Sequence, residues 1–244
     1  MNIRDSLRRI RAYAEWDFDP PQAAVRRPLL RLGSEHASYF VDPTLLSSDS
    51  IVYSAGVGED ISFDTELAAR WNLCIEAFDP TPRVRTWLET QRLPRNFRFH
   101  PVGLAERDGE ASFHLPLEPQ WISHSAVPSS GFRQESVALP VRRLSSVLTD
   151  LGHGGRRIGL LKLDIEGAEY AVIEEMLGEG IIPEQLLVEF HHRFLPGGIA
   201  KTRQTLGLLR GAGLHIAHMC PRFEVFTFVA GDAIARAQSR EIAA

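Results

Sequence analysis

The stretch IVYSAGVGEDISFDTELAARWNLCIEAFD, residues 51–79, organises the chain. An apolar run leads into a Gly-x-Gly turn at Gly56 and Gly58, then a helical pattern, then a second apolar run that ends at Asp79. Glycine suits such a turn because the backbone can approach a ligand with no Cβ in the way. Asp79 lies 21 positions after Gly58, close to the spacing of about 20 expected of a ribose-binding acid. The stretch therefore predicts a strand–turn–helix–strand unit that binds a nucleotide-like ligand.

The charges on this turn indicate which ligand it binds. It lacks the lysine of a phosphate-binding loop, and it carries Glu59 and Asp60 where a pyrophosphate would lie. Two carboxylates would repel phosphate, although a helix N-terminus would attract it. S-adenosylmethionine has a ribose, an ammonium and a sulfonium but no phosphate, so we expect it rather than NAD. A tight turn that binds nothing is the alternative.

The composition limits the class of protein. The 244 residues are 44% hydrophobic and 24% charged, which fits one large α/β domain. A net charge of −4 does not indicate a nucleic-acid surface. The sequence has no apolar run of the roughly 20 residues that span a membrane, and its N-terminus lacks the apolar core of a signal peptide. With two cysteines, we expect a cytoplasmic protein without nucleic-acid or membrane partners.

The chain divides into two parts. Residues 1–50 predict a lead-in with a helix over residues 1–16 and a short strand at Tyr39–Val41, and residues 51–244 predict the main domain. Asp108-Gly109 predicts a hairpin that returns along residues 111–115. The Pro- and Ser-rich residues 116–136 predict a lid on the substrate side.

Strands alternate with helices through the main domain. They predict a Rossmann-like α/β fold with a mostly parallel seven-stranded sheet, helices on both faces and an antiparallel strand near the C-terminus. The last strands, residues 215–217 and 225–229, are separated by a short turn and should be antiparallel. This is the architecture of class I methyltransferases, whose ligands lie beyond the carboxyl ends of the strands.

Charged residues end two neighbouring apolar runs. Lys162 and Asp164 share a face of one strand, and Glu189 and His191 share a face of the next. One interpretation is a Lys162–Glu189 ion pair that only positions the strands. The other is a catalytic group in which Asp164 lies beside the cofactor and Glu189 or His191 acts on the acceptor. Asp164, Glu189 and His191 could also be metal ligands, but with no tight spacing motif we predict no metal.

Two further segments resemble the FkbM family of S-adenosylmethionine-dependent methyltransferases. LPVRRLSSVL at residues 139–148 and LKLDIEGAE at residues 161–169 are similar to the family's signature, and SAGVGEDISFD and AFDPTP are similar to its cofactor turn and second-strand acid. The resemblance covers about residues 36–230 and implies methyl transfer, typically to a hydroxyl of a sugar or secondary metabolite. It departs at the third position of the glycine motif, which is Asp60.

These observations lead to a defined expectation. We expect an O-methyltransferase that uses S-adenosylmethionine on a small-molecule or sugar acceptor. The alternatives are a non-catalytic binding module and an NAD-dependent oxidoreductase. The resemblance implies cofactor contacts from Gly56, Gly58 and Asp79, and a place beside the methyl donor for Asp164. The assigned residues are, for the cofactor, Ser54, Gly56, Gly58, Asp60, Asp79 and Asp164, and, for catalysis, Lys162, Asp164, Glu189 and His191.

Overall fold

A computed structural model describes residues 10–116 and 132–243 of the chain, with side chains for residues 10–114 and 135–239. Its strands are β1 (Leu30–Leu32), β2 (Tyr39–Val41), β3 (Ile51–Ala55), β4 (Ile75–Phe78), β5 (Phe97–His100), β6 (Gly103–Leu104), β7 (Gly109–Pro116), β8 (Phe132–Arg142), β9 (Ile158–Leu163), β10 (Gln185–Glu189), β11 (Leu214–Met219) and β12 (Val225–Ala230). Its helices are α1 (Ser62–Trp71), α2 (Pro82–Leu88), α3 (Leu144–Asp150), α4 (Glu169–Gly178), α5 (Gly198–Gly211) and α6 (Gly231–Ala243), with short 3₁₀ turns at Pro43–Leu45 and His192–Phe194.

The large sheet has seven strands in the order β11-β12-β10-β9-β3-β4-β5. The pairs from β10 through β5 are parallel, and β12 runs antiparallel to both β10 and β11. This confirms the predicted fold class, including the antiparallel strand near the C-terminus. The strand order reverses between β3 and β9, which is where open α/β sheets bind ligands.

Both faces of this sheet are covered. Side chains alternate along each strand, so Tyr53 and Leu161 join the apolar core on one face while Val52 and Leu160 join the core on the other. Every residue of β3 and β9 is buried, as expected of central parallel strands between two helical layers. The site residues thus stand on a rigid platform.

A second sheet corrects the predicted hairpin. Its order is β6-β8-β7, so β7 pairs antiparallel with β8 and makes no ladder with the strand before it. Val141 of β8 pairs with Gly103 on one side and with Gly109 on the other, because the 11-residue β8 lies between the two short strands. Of the predicted lid, residues 132–136 belong to β8, and residues 117–131 lie outside the described residues.

The remaining elements refine the predicted boundaries. Residues 10–15 are helical, and β2 pairs antiparallel with β1. The helix α5 precedes the last pair of strands, and α6 follows β12, where no helix was predicted. Within the described ranges, no helix is both long and apolar enough to cross a bilayer. The domain boundary at residue 50 stays a prediction.

Candidate cofactor and catalytic site

The glycine turn after β3 is held against the end of β9. A Cβ on Gly56 would lie 1.7 Å from the backbone oxygen of Asp164, and its φ is +81°. Gly58 has nothing within 4 Å of its Cβ position, but its φ of +59° is also left-handed. Space and conformation therefore both require glycine at position 56, and conformation favours it at position 58.

Asp79 ties the end of β4 to this turn. The amides of Val57 and Gly58 donate to Asp79 Oδ2 at 3.1 and 3.2 Å, and the amide of Thr81 donates to Oδ1 at 2.9 Å. A carboxylate has about four acceptor positions, so about one remains for a ligand. Asp79 is 6% exposed and lines the cavity described below. Its predicted contact with both ribose hydroxyls stays a prediction.

The two acids of the turn have protein partners. Glu59 pairs with Arg83 at 2.6 Å, and Asp60 accepts hydrogen bonds from the hydroxyl of Ser34 at 2.7 Å and the amide of Ser62 at 2.9 Å. Partial burial opposes the charge of Asp60, but the bonds from Ser62 and Ser34 hold its pKa below the usual value. Because both charges are partnered, the turn attracts a cation less than its sequence alone indicates.

A cavity of about 300 Å³ opens between the glycine turn, the end of β4 and the end of β9. This volume is at the lower end of the range for small-molecule pockets, about 300–1000 Å³. Its polar wall includes Asp60, Asp64, Asp79, Lys162 and Asp164, and its apolar wall includes Tyr39, Phe63, Phe78, Val84, Leu104 and Phe113. Gly56 and Gly58 also line it. Ser54 is fully buried on β3 and is not among the described lining residues.

Lys162 is buried at the back of this cavity. Its Nζ donates to the backbone oxygen of Gly56 at 2.7 Å and lies 3.6 Å from Asp164 Oδ2. The first partner predicted for it was Glu189, and that choice was wrong, since the carboxylate found within 4 Å is Asp164. Residues two apart on a β-strand lie on one face, so the spacing of Lys162 and Asp164 in the sequence already indicated that they would pair.

Asp164 accepts a hydrogen bond from a residue that is not among the predicted site residues. The hydroxyl of Tyr39 donates to Asp164 Oδ2 at 2.8 Å, and the ring of Tyr39 lies 5.2 Å from Lys162 Nζ. Burial and the charge of Asp164 raise the pKa of Tyr39 well above its usual value, so the phenol stays neutral and donates. The sequence offered no signal for Tyr39, because its partner is 125 positions away.

His191 lies in the turn that follows β10, which ends at Glu189. His191 Nδ1 is 2.9 Å from Glu169 Oε1, and Nε2 is 3.4 Å from Glu166 Oε2. Burial disfavours the charged ring, but Glu169 and Glu166 outweigh it and raise the pKa of His191 well above its usual value. The ring therefore carries a proton at neutral pH. His191 in this state cannot take up another proton, so the general-base role predicted for it requires the prior loss of that proton and stays a prediction.

Glu189 is half-buried at the end of β10. Val188 pairs with Leu163, which places Glu189 beside Asp164 at the carboxyl edge of the sheet. Burial and the charge of Asp164 raise the pKa of Glu189 to about 7. A carboxyl with that pKa is partly ionised at neutral pH and suits general-base catalysis. Glu189 lines a neighbouring cavity and is not among the described residues that line the first.

Asp64 is a candidate that the sequence reasoning missed. It is 2% exposed on the first turn of α1 and lines the first cavity. Burial raises its pKa, and the positive charge of Lys162 opposes that shift. The available signal was an acid directly beside Phe63, the first residue of the apolar helical face. In the described part of the chain, no group of three or more His, Cys, Asp or Glu residues is arranged to hold a metal ion.

Comparison with known proteins identifies the family. A family model described as "Methyltransferase FkbM domain" matches residues 43–213. The chain belongs to the FkbM methyltransferase family. The match includes the glycine turn, Asp79 and the segment from Lys162 to Glu169, and leaves Tyr39 outside.

Two relatives and one solved structure match parts of the chain. "Probable methyltransferase-like protein 24" is 28% identical over 143 residues in Rattus norvegicus and 29% identical over 144 residues in Homo sapiens, in each case over 57% of this chain. The chain spans 32% of the length of these relatives. A crystal structure of a methyltransferase FkbM from Methylobacillus flagellatus is 13% identical to this chain. The match covers 75% of this chain and 44% of the crystallised chain, with a TM-score of 0.42.

Proposed function

We propose that the protein transfers a methyl group from S-adenosylmethionine to a hydroxyl oxygen of a small-molecule or sugar acceptor. The observation that carries this proposal is the first cavity. It joins a glycine turn, a second-strand acid and a buried carboxylate at the carboxyl edge of the sheet of a methyltransferase-family chain. Family membership supports methyl transfer, and the cofactor and the acceptor oxygen are our inference.

The residues of the cavity fit this cofactor. Asp79 has about one acceptor position left for a ribose hydroxyl, and Phe63, Phe78 and Val84 supply apolar surface. Asp164 adds a negative charge that complements an ammonium or sulfonium, and its bonds to Tyr39 and Lys162 fix its position. S-adenosylmethionine supplies an electrophilic methyl group when bound.

The acceptor requires a base and close placement. Bound S-adenosylmethionine would supply the methyl group and would leave as S-adenosylhomocysteine, so that the acceptor hydroxyl becomes a methyl ether. Glu189 would take up the hydroxyl proton and later release it to water. Placement of the two reactants in line supplies much of the rate, and a positioned base typically adds about 10²–10⁴-fold.

Isothermal titration calorimetry with S-adenosylmethionine, S-adenosylhomocysteine and NADH tests the cofactor. We expect the first two to bind and NADH not to bind. Asp79→Ala should weaken binding by roughly 1.5–3 kcal/mol, the range for hydrogen bonds to charged groups. Asp49→Ala, which removes an exposed carboxylate from a loop before β3, is the matched control and should leave affinity unchanged.

Three results would count against the proposal. Binding of NADH alone would favour an oxidoreductase. Unchanged affinity in a folded Asp79→Ala protein would remove Asp79 from the site. Tight cofactor binding without methyl transfer to any member of a broad panel of hydroxyl compounds would favour a non-catalytic module.

A further inference from the structure

A second cavity, of about 430 Å³, adjoins the first. Ala37 and Tyr39 line both cavities, so the Tyr39 ring that bonds to Asp164 is a shared wall. The second cavity lies between the segment around β2 and the turn that joins β11 to β12, and Glu189 lines it. Two adjoining cavities are the arrangement that a two-substrate reaction requires.

Glu189 faces this second cavity as a hydrogen-bond acceptor. No other described side chain makes a hydrogen bond or an ion pair within 4 Å to its carboxylate. A half-buried carboxylate without a partner among the described side chains is free to accept hydrogen bonds from a ligand or from water. Its position beside Asp164 puts this acceptor next to the first cavity.

The charged residues of the second cavity are mostly acidic. Its described lining has three carboxylates, Glu35, Glu189 and Glu224, and one arginine, Arg222. Glu224 is paired with Arg193 and lies 3.9 Å from Arg222, so Glu35 and Glu189 carry the negative charge that no described arginine or lysine pairs with. Carboxylates only accept hydrogen bonds when ionised, so they match ligands rich in donors. They also repel an anion, which is a means of excluding wrong ligands.

One stacked aromatic pair lies in the wall of the cavity. The rings of Phe40 and His218 stack with centroids 3.9 Å apart and an interplanar angle of 30°, and both residues line the cavity. Burial lowers the pKa of His218, so the ring is neutral near pH 7. A ligand that presents a ring face to this pair and hydroxyl or ammonium groups to the carboxylates fits both features.

We propose that the second cavity binds the methyl acceptor and that the acceptor is a ring compound rich in hydroxyl or ammonium groups and without negative charge. The proposal rests on the methyltransferase function proposed above. It assigns the acceptor to the side of Tyr39 away from the glycine turn, with its reactive hydroxyl at Glu189.

Three probes on one ring scaffold test the ligand class. They are methyl β-D-glucopyranoside (uncharged), glucosamine (positive) and glucuronate (negative). Their binding is measured by saturation-transfer difference NMR, with and without S-adenosylhomocysteine. We expect the first two to bind and glucuronate to bind least. Glu35→Lys, at an exposed position of the lining, should shift the ratio of glucuronate to glucosamine binding by roughly threefold or more towards glucuronate. Glu174→Lys makes the same charge change at an exposed position of α4 and should leave the ratio unchanged.

A blocking variant tests the location. Pro221 is exposed and lines the second cavity, so Pro221→Trp should reduce binding of the probes at least fivefold while leaving calorimetric affinity for S-adenosylhomocysteine unchanged. Equal binding of glucuronate and the glucoside, no binding of any probe, or full probe binding by Pro221→Trp would overturn the inference. A different outcome would overturn the proposed function and leave the ring-ligand site standing. In it, S-adenosylhomocysteine does not bind, the unliganded protein still prefers glucosamine and the glucoside to glucuronate, and Pro221→Trp abolishes that binding.

Discussion

Lys162 connects the two halves of the candidate site. It donates to the carbonyl of Gly56 in the glycine turn and pairs with Asp164 at the end of β9. A buried ammonium is costly unless its protons are taken up by acceptors. The carbonyl oxygens of Gly56 at 2.7 Å and Ala55 at 3.4 Å accept them, and Asp164 at 3.6 Å supplies the counter-charge. Lys162 therefore fixes the distance between the turn and the carboxylate.

Gly56→Ala should disrupt the site. The new Cβ would meet the backbone oxygen of Asp164 at 1.7 Å, so the turn or β9 must shift. We expect a loss of about 2 kcal/mol or more in unfolding free energy, measured with urea, together with loss of cofactor affinity. Gly207→Ala in α5 is the control. It has open space around its Cβ position and should be neutral or stabilising by about 0.5–1 kcal/mol. A Gly56→Ala protein with wild-type stability and affinity would contradict the packing.

The pKa of Glu189 predicts opposite pH trends for rate and stability. The base must be ionised, so kcat/KM should rise with pH through about 7, and Glu189→Gln should remove that rise and lower transfer by about 100-fold or more. The folded-state pKa is above the unfolded value of 4.5, so the contribution of Glu189 to stability is present below pH 4.5 and is lost as pH rises through about 7.

Glu189→Gln should therefore be stabilising relative to wild type at pH 8.5 and close to neutral at pH 4, by urea unfolding at both values. Glu174→Gln, on the exposed face of α4, should change neither rate nor stability. If the pH–rate profile of Glu189→Gln kept the wild-type limb, another group would be the base.

Single residues were predictable where strand alternation governs them. Lys162 and Asp164 are two apart on β9, and alternation alone places them together. The role of Tyr39 and the protonation of His191 were not predictable, because both depend on contacts with distant parts of the chain. Tyr39 bonds to Asp164, 125 positions away, and His191 bonds to Glu169, 22 positions away.

At the scale of elements, the junction between β9 and α4 is organised by one carboxylate. Glu169 is fully buried, and its oxygens accept from the amides of Ile165 at 2.9 Å and Gly167 at 3.0 Å. They also pair with His191, which joins this junction to the end of β10. The bonds from Glu169 thereby offset the backbone strain of this turn, in which Glu166 and Gly167 both have positive φ.

Glu169→Gln should destabilise the fold by about 2 kcal/mol or more at pH 6, because it removes the carboxylate nearest to a buried imidazolium, at 2.9 Å, and leaves only Glu166 and Asp164 at 3.4 and 3.8 Å. The pKa of His191 is raised above its unfolded value of 6.5, so its stabilising contribution is fully present below that pH and is lost as pH rises through the folded value. The cost measured by urea unfolding should therefore be smaller at pH 9 than at pH 6. Glu174→Gln on the same helix should cost under about 0.5 kcal/mol. Equal costs at both pH values would argue against a charged His191.

Elements of the large sheet were predictable because buried apolar runs and glycine breaks mark them. The apolar run that carries Lys162 was predicted as a strand and forms β9, Ile158–Leu163. The small sheet was not predictable. Asp108-Gly109 indicates a hairpin with the preceding strand, whereas β7 pairs with β8, which comes later in the sequence. Local turn chemistry fixed the bend but not the pairing.

At the scale of the whole molecule, the segment before β1 is part of the packed structure. Trp16 is 1% exposed, and its ring packs edge-on against Phe223 and His192. Arg203 of α5 donates to the backbone oxygen of Trp16, with Nη2 as the donor. These contacts join residues outside the family match to the end of the sheet that carries the site.

Trp16→Ala should lower the unfolding free energy by about 3–5 kcal/mol, because it empties a large buried volume. Phe18→Ala, two positions later and 74% exposed, should cost under about 0.5 kcal/mol. Urea unfolding of both variants compares them directly. Similar small costs would mean that the segment is only loosely held.

The sheet order has a consequence for the time course of folding. The strands that frame the glycine turn, β3 and β4, are joined by 19 residues (56–74), whereas β9 starts more than 100 positions after β3 begins. Loop closure is slower and entropically costlier for the distant strand. The glycine turn and Asp79 thus lie within one short stretch of chain, while Asp164 and Glu189 reach them only after a long-range closure. A newly made chain would therefore bring the glycine turn and Asp79 together before it brought up Asp164 and Glu189.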